Sequence, residues 1–409
     1  MGIFDFLRGR TDKDRYARAF ELALRAAGER RTLNYDAREF SIRVGTDPGR
    51  TEAVYYLDNG FREWQSAPDE GGRQAALQRF AQVFEAESAG SSEFSQVAPR
   101  LVAGVRDRAY LELNRLALAV EFGVDAANPT LQRPLAADIA QVLLLDAEDT
   151  VSLVPESSLV SWGVTWEAAF GQGLANLRAR SNEVHVIEHE GVLAWQANDS
   201  FDAGRILLTE VLAGIDVRGE LVAMVPDRDV LLLAGSEDLA QLRALAAVAN
   251  RRCDGDVRLL SGWPLVLRDG QWQVFNPPAE VAAEFRRVER RYAALAYRQQ
   301  SEVLQKYLEA LGEDVFVGSW LLEAADDAPP GEFTTLAVWS EDVVTLLPEV
   351  DEVVFNGADG VMYRVPWARV RAIAAHLMQP TEYFPARWRV DGFPKQAELL
   401  AMGARRLGG

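Results

Sequence analysis

The sequence predicts an α+β protein of two to three modules, in which antiparallel β-hairpins and sheets pack with helices. Alternating apolar runs are joined by tight-turn residues, which is hairpin chemistry. Helical-period stretches fall between them at irregular intervals, without the regular strand–helix alternation of a doubly wound fold. The chain has 409 residues, 48% of them hydrophobic and 25% charged. That is ordinary globular composition, with room for more than one core at about one domain per 150 residues.

In chain order, residues 12 to 30 read as a helix with Tyr16, Phe20, Ala23, Leu24 and Ala27 on one face. Glu39–Val44 and Glu52–Leu57 alternate around Thr46-Asp-Pro-Gly49 and read as a hairpin. A second helix follows over 71 to 86, and Ala89-Gly-Ser-Ser-Glu93 marks a boundary, closing a first module at 1–95. In the next module, 96–275, Asp138–Leu145 and Thr150–Val154 read as strands and Trp166–Arg180 as a helix. His185–Glu188 and Val192–Gln196 form a hairpin across Glu190-Gly191, and a helix is expected over 202 to 214. Glu220–Val225 and Val230–Ala234 are strands around Pro226-Asp-Arg-Asp229. Ser236 then caps a helix running to Asn250, and Trp263–Leu267 and Gln271–Phe275 flank an Asp269-Gly270 turn. Asn276-Pro277-Pro278 opens a helix that runs to Leu311 and stops at Gly312, roughly 50 Å long. It begins a third module, 276–409, with strands at 315–322, 333–339, 343–347, 353–355 and 361–365 and a helix from Trp367 to Leu377.

The net charge is 43 − 61 = −18, which argues against a nucleic-acid partner, because phosphate neutralisation needs a positive surface. Cys253 is the one cysteine, so no internal disulfide or Cys-rich zinc site can form, and a cytoplasmic location is expected. No run reaches the roughly eighteen apolar residues of a membrane span, so no stable membrane insertion is expected. Residues 1 to 31 carry eight bases against five acids and begin with Ile3, Phe4, Phe6 and Leu7. Peripheral membrane contact there is one reading; a docked terminal helix is the other.

Asn34-Tyr-Asp36 with Ser41-Ile-Arg-Val44, then Arg133-Pro-Leu-Ala-Ala-Asp138 with Leu145-Asp146, stand in a suggestive order. They are followed by Asp202-Ala-Gly-Arg-Ile-Leu207 and by Gly219–Pro226 with Asp229–Leu233. The succession resembles the bacterial YtpQ-like proteins of unknown function, over about residues 15–275. The resemblance implies a fold unit and a cytoplasmic setting, not a reaction. Residues 277–409 lie outside it and read as an added module.

Among candidate chemistries, His185-Val-Ile-Glu188-His189 matches an inverted zinc-peptidase string. That chemistry needs both imidazoles one helical turn apart. On an alternating strand they lie about 13 Å apart, so no metal site is expected. His376 reads as a helix-end residue. Gly171-Gln-Gly173 lacks the third glycine of a dinucleotide loop, and no phosphate-binding or nucleophile-elbow string occurs, so no cofactor is assigned. Asp227 and Asp229 could hold a cation or activate water, or simply bond their own turn. Asp202 with Arg205 reads as an ion pair, and Asp254 with Asp256 supplies too few carboxylates for a calcium loop.

Charge segregation is the strongest feature. Val281, Phe285, Val288, Tyr292 and Leu295 form one helical stripe, and Arg286, Arg287, Arg290, Arg291 and Arg298 fall within about 140° opposite it. Residues 313 to 360 hold twelve acids and no Lys or Arg. These observations favour a non-catalytic protein-interaction or adaptor protein, with the Arg face as its surface for a partner or a second copy. The alternatives are a hydrolase with an unrecognised carboxylate-based site and a peripheral membrane protein. Residues 1–275 are expected to fold without the remainder.

Overall fold

The computed structural model describes residues 3–407 apart from 27–28, 38–39, 46–52, 89–92, 123–129, 148–149, 182–185, 198, 255–257 and 325–332. The fold is α+β, as the hairpin and helix patterns predict.

α1 (Ile3–Ala26) precedes strands β1 (Thr32–Asp36), β2 (Ser41–Gly45) and β3 (Ala53–Tyr56), then α2 (Asp58–Ser66) and α3 (Glu70–Ser88). The three strands form an antiparallel sheet in sequence order. Tyr16, Phe20, Leu24, Phe40, Ile42, Val44, Phe61 and Trp64 share one aromatic-rich core. β1 and α2 are additions to the expected elements. The Thr46–Gly49 turn, the side chains of Ile3 to Leu7 and most of the 89–93 boundary lie outside the described residues.

After the short α4 (Phe94–Val97) come β4 (Leu101–Asp107), α5 (Arg108–Phe122), β5 (Gln132–Ala136), β6 (Ile139–Ala147) and β7 (Thr150–Leu153). The long central β6 pairs antiparallel with β4 along one edge and with β5 and then β7 along the other. α6 (Glu156–Trp162) leads to α7 (Trp166–Ala179), which packs on β4. A Cβ on Gly173 would stand 2.8 Å from the Ala103 backbone nitrogen, so this glycine serves helix–sheet packing.

β8 (Val186–His189), β9 (Val192–Trp195), β10 (Leu221–Met224), β11 (Leu231–Gly235), β12 (Leu265–Arg268) and β13 (Gln271–Val274) form one six-stranded antiparallel sheet. Its order is β13-β12-β10-β11-β9-β8. The helix expected over 202 to 214 is instead a 3-10 turn, Ala203–Leu207, followed by α8 (Thr209–Leu212). Leu208, buried at ψ 55, breaks the run between them. α9 (Leu239–Arg252) is capped by Asp238, whose carboxylate accepts from Ala240 N and Gln241 N, and not by Ser236. Ser236 Oγ instead accepts from Glu220 N, tying the start of β10 to the end of β11.

α10 (Ala282–Ala310) starts later than the Asn-Pro-Pro signal suggests. Pro278 O takes the Val281 N–H in a turn, and Val281 is fully buried, so packing rather than the cap residue sets the start. Val281, Phe285, Val288 and Tyr292 complete the apolar core between the six-stranded sheet and α9. Each contributes about 1.5–3 kcal/mol by burial. Further along, Leu304, Tyr307 and Leu308 join Leu116 and Ala119 of α5 in a second core. One helix thus completes a core built largely by residues before 276 and joins α5 to the C-terminal strands in another.

The remaining strands are β14 (Phe316–Val317), β15 (Leu321–Ala324), β16 (Phe333–Ser340), β17 (Thr345–Pro348), β18 (Glu352–Asn356) and β19 (Met362–Pro366). α11 (Trp367–Ile373), β20 (Met378–Pro380), β21 (Arg387–Val390), α12 (Gln396–Ala401) and β22 (Arg405–Leu407) close the chain. They make two sheets, β14-β17-β21-β20 and β15-β16-β18-β19-β22. Two pairs, β14 with β17 and β16 with β18, are parallel, and the other pairs in these sheets are antiparallel. β16 and β18 flank a strand that belongs to the other sheet, so the chain crosses over between them.

Candidate active-site cleft

The cleft's floor is made where β4 ends and β5 turns into β6. Asp107 is the last residue of β4 and caps α5, its Oδ1 accepting from Ala109 N at 2.8 Å. Asp138 sits in the two-residue turn between β5 and β6, after Ala137 at φ 49. A non-glycine residue at positive φ carries local strain, of the kind that concentrates at functional positions. Arg108 N donates to Asp138 O at 2.8 Å, which fixes the turn beside the β4 end. The Ser261 hydroxyl donates to Asp138 Oδ1 and itself accepts from Trp263 N at 3.1 Å.

Burial holds both carboxyls well above the usual carboxylate range. Asp107 is raised further by the charge of Asp138, while the Ser261 hydroxyl and Arg108 favour the charge on Asp138. The pair therefore retains a proton where isolated carboxyls would not, with Asp138 the better seat for the negative charge. Neither residue is sealed off, because both face an open cleft of 1560 Å³.

α10 forms one wall. Glu289 is pushed up to about 7, chiefly by burial and also by the charge of Asp138, against the attraction of Arg286 and Arg290. Tyr292 donates its hydroxyl to Pro226 O at 2.8 Å, and its ring lies so close to Gly262 that a Cβ there would meet it at 2.8 Å. That contact sets α10 against the 258–263 segment. The far side is contributed by the C-terminal region through Thr335 of β16 and the loop residues Trp320, Asp351 and Phe384. The Arg108 guanidinium stacks 4.1 Å from the centre of the Phe384 ring, closing one corner.

The opposite wall is basic. An antiparallel bridge between Asp227 and Leu259 places Arg228 beside Arg258, with Arg228 N donating to Arg258 O at 3.2 Å. Arg228 stacks on Tyr110 at 4.6 Å, and a hydrogen bond with Asn114, followed by Arg228 and Arg106, holds that phenol below its usual range against burial. Arg106 lies behind them, held down to about 9 by burial and by repulsion from Arg228 and Arg258.

Other sequence candidates have structural employment. His189 and Glu188 lie on strand β8, not on a helix, and His185 is outside the described residues. His376 faces Glu398 at 3.3 Å. Asp227 is fully buried, accepts from Asp229 N and pairs with Arg252 at 2.7 Å, so the cleft-facing residue of that turn is Arg228. Arg205, fully buried, binds Asp199, Asp202 and Ser181. Asp254 pairs with Arg291, while Asp256 lies outside the described residues. In the arginine stripe, Arg290 pairs with Asp351 at 2.7 Å and Arg291 also donates to Asn250. Arg290 and Arg298 line the cleft, Arg286 and Arg298 are exposed, and Arg287 is half-buried. Among the described residues no three His, Cys, Asp or Glu side chains converge as a metal-ligand set. None of the described helices is long and apolar enough to cross a membrane.

Sequence reading overlooked β4 and α5 and so missed Asp107; Asp138 was in view as a strand start and within a motif of the YtpQ-like resemblance. No local pattern marks Asp107, Glu289 or Ser261, which meet through folding alone.

No protein-family profile matches the chain, and no solved structure does. Part of it is similar to two curated bacterial proteins. A UPF0354 protein of Staphylococcus haemolyticus is 36% identical over 94 residues, covering 22% of this chain and 33% of that protein. A UPF0354 protein of Bacillus cytotoxicus is 28% identical over 114 residues, covering 27% of this chain and 42% of that protein. The chain thus spans between a third and under half of the length of these relatives.

Proposed function

We propose that the protein is a hydrolase-type acid–base enzyme whose carboxylate pair, Asp107 and Asp138, acts on a ligand held in the cleft. The observation that carries this reading is the convergence of both carboxylates, from separate elements, on the floor of a cleft large enough for a substantial ligand. In hydrolysis, one carboxylate takes a proton from the attacking water and one carboxylic acid protonates the leaving atom. Asp138, favoured in its charged form by Ser261 and Arg108, is the base, and Asp107 is the acid. The proton taken up by Asp138 replaces the one Asp107 gives away, so pair and water balance over one turnover. Glu289 adds a further carboxyl to the cleft wall, where it feels the charge of Asp138.

The test is turnover of p-nitrophenyl phosphate, p-nitrophenyl acetate, p-nitrophenyl glucoside and fluorescein-labelled casein by the full chain. Hydrolysis of any one, reduced at least a hundredfold by Asp138→Asn and by Asp107→Asn, supports the assignment. No turnover of any, or turnover indifferent to both variants, contradicts it.

A second reading makes the Arg286, Arg287, Arg290, Arg291 and Arg298 face a docking surface for a protein partner or a second copy of the chain. It draws support from the position of Arg290 and Arg298 at the cleft, where a bound protein segment would meet them. A cytoplasmic setting, supported by the single thiol, and membership of the YtpQ-like family, supported by the order of the motifs, belong to the same proposal. So does a three-module division at about 95 and 275, supported by the separate apolar clusters, with α10 shared between modules.

A further inference from the structure

We infer that Arg228 and Arg258, backed by Arg106 and flanked by Tyr110, form an anion subsite that takes a phosphate or carboxylate group of the cleft's ligand. The inference rests on the cleft being a ligand site and adds the chemical class of what enters it. Two neighbouring backbone positions deliver the guanidinium groups. The Asp227–Leu259 bridge sets Arg228 and Arg258 side by side on one rim, and both line the cleft. Tyr110, beneath Arg228, lines the same wall, and its hydroxyl engages Asn114 and Arg228.

Charge accounting supplies the second line of support. Other arginines in and around the cleft have a carboxylate close by: Arg290 on its wall has Asp351, and outside the lining Arg291 has Asp254 and Arg252 has Asp227. Among the described residues, no carboxylate forms an ion pair with Arg106, Arg228 or Arg258. The Nε of Arg106 is buried without a hydrogen-bond acceptor. Three guanidinium groups held together repel one another, and a buried cationic donor left unmatched costs stability. In a chain of net charge −18 such a cluster runs against the overall balance of charge. A single oxyanion at the rim meets Arg228 and Arg258 together, with the charge of Arg106 behind them, and planar guanidinium forks suit phosphate and carboxylate oxygens.

The subsite also orients a ligand. The charge on Asp138 repels an anionic group from the floor, while the arginine rim attracts it. A ligand anchored by its anion at the rim therefore presents its neutral part to the carboxylate pair.

Isothermal titration of the full-length protein with inorganic phosphate and, separately, with succinate tests this, with the wild type compared with Arg258→Gln, Arg228→Gln and Asp138→Asn. Arg258 is exposed and Arg228 half-buried, so both replacements keep the fold, which circular dichroism verifies. Saturable binding of either probe at one site is expected, weakened about tenfold or more by each arginine replacement. Tighter binding of phosphate assigns a phosphate, and tighter binding of succinate a carboxylate. Asp138→Asn, which removes a repelling charge, is expected to retain or strengthen binding. Absence of saturable binding of both probes to the wild type, or binding indifferent to both arginine replacements, overturns the subsite. Because no turnover is required, anion binding that survives while hydrolysis fails would sink the acid–base assignment alone.

Discussion

Arg290 of α10 and Asp351, the residue before β18, form a 2.7 Å ion pair that ties the long helix to the C-terminal sheets at the edge of the cleft. Asp351 is held from three further directions. Its Oδ2 accepts from Thr335 N at 2.8 Å, its N donates to Thr335 Oγ1 at 2.6 Å, and its O accepts from Trp367 N at 2.8 Å. A carboxylate so fixed presents a preformed partner to Arg290, and less side-chain entropy is lost in pairing than for two free surface groups.

A double-mutant cycle with Arg290→Gln and Asp351→Asn measures that link. Both partners are partly solvated, at 27% and 41% side-chain exposure. A coupling of about 0.5–1 kcal/mol by urea denaturation is expected, shrinking at 1 M salt where screening reaches about 3 Å. Asp351→Asn keeps the backbone hydrogen bonds, so a salt-insensitive loss would place the effect in the loop rather than in the pair.

Phe285→Ala is expected to cost about 3–5 kcal/mol, because the ring is buried at the centre of the core shared by α9, α10 and the six-stranded sheet. By the same packing, a chain ending at residue 275 leaves Leu242, Leu245, Ala249 and Val266 without the cover of Val281, Phe285 and Val288. Such a chain should bind a hydrophobic dye and lose cooperative unfolding. Sharp unfolding of 1–275 at wild-type stability would show the α10 contacts to be dispensable.

Fold class was legible because hairpin turns and period-two runs are local: Glu190-Gly191 and Asp269-Gly270 turn where their sequences say. The stripe Val281, Phe285, Val288 and Tyr292 correctly marks a buried face, yet a stripe does not state what covers it. Its partner is the core of an earlier segment. The start of α10 was misplaced for a related reason, since burial of Val281 outweighs an Asn-Pro-Pro cap signal. The cleft was illegible because Asp107, Asp138, Ser261 and Glu289 are distant in the chain and individually unremarkable. Arg228 stands between two aspartates that look more chemical, of which Asp227 is committed to Arg252 and to its own turn.

Glu289 makes stability depend on pH in a definite direction. Its folded carboxyl titrates at about 7 against 4.5 for an ordinary glutamate, so the folded state binds the extra proton between those values. Stabilisation is therefore full below about pH 4.5 and lost as pH rises through 7, a change on the order of 3 kcal/mol at most. Glu289→Gln, which stays neutral, should flatten the fall in Tm across that window and leave the acid side unchanged. An identical Tm profile in wild type and variant would mean the carboxyl is solvated and ordinary.

The carboxylate pair is the centre of this account, and carbon-13 NMR titration of the Asp side-chain carboxyls measures it most directly. In the wild type, Asp107 should titrate well above the ordinary aspartate range, in a curve coupled to that of Asp138. In Asp138→Asn, loss of the neighbouring charge should lower the Asp107 midpoint, with burial still holding it above that of an exposed aspartate. An Asp107 midpoint near 4 in the wild type, or one that does not move in Asp138→Asn, would contradict the pairing of the two carboxylates on the cleft floor.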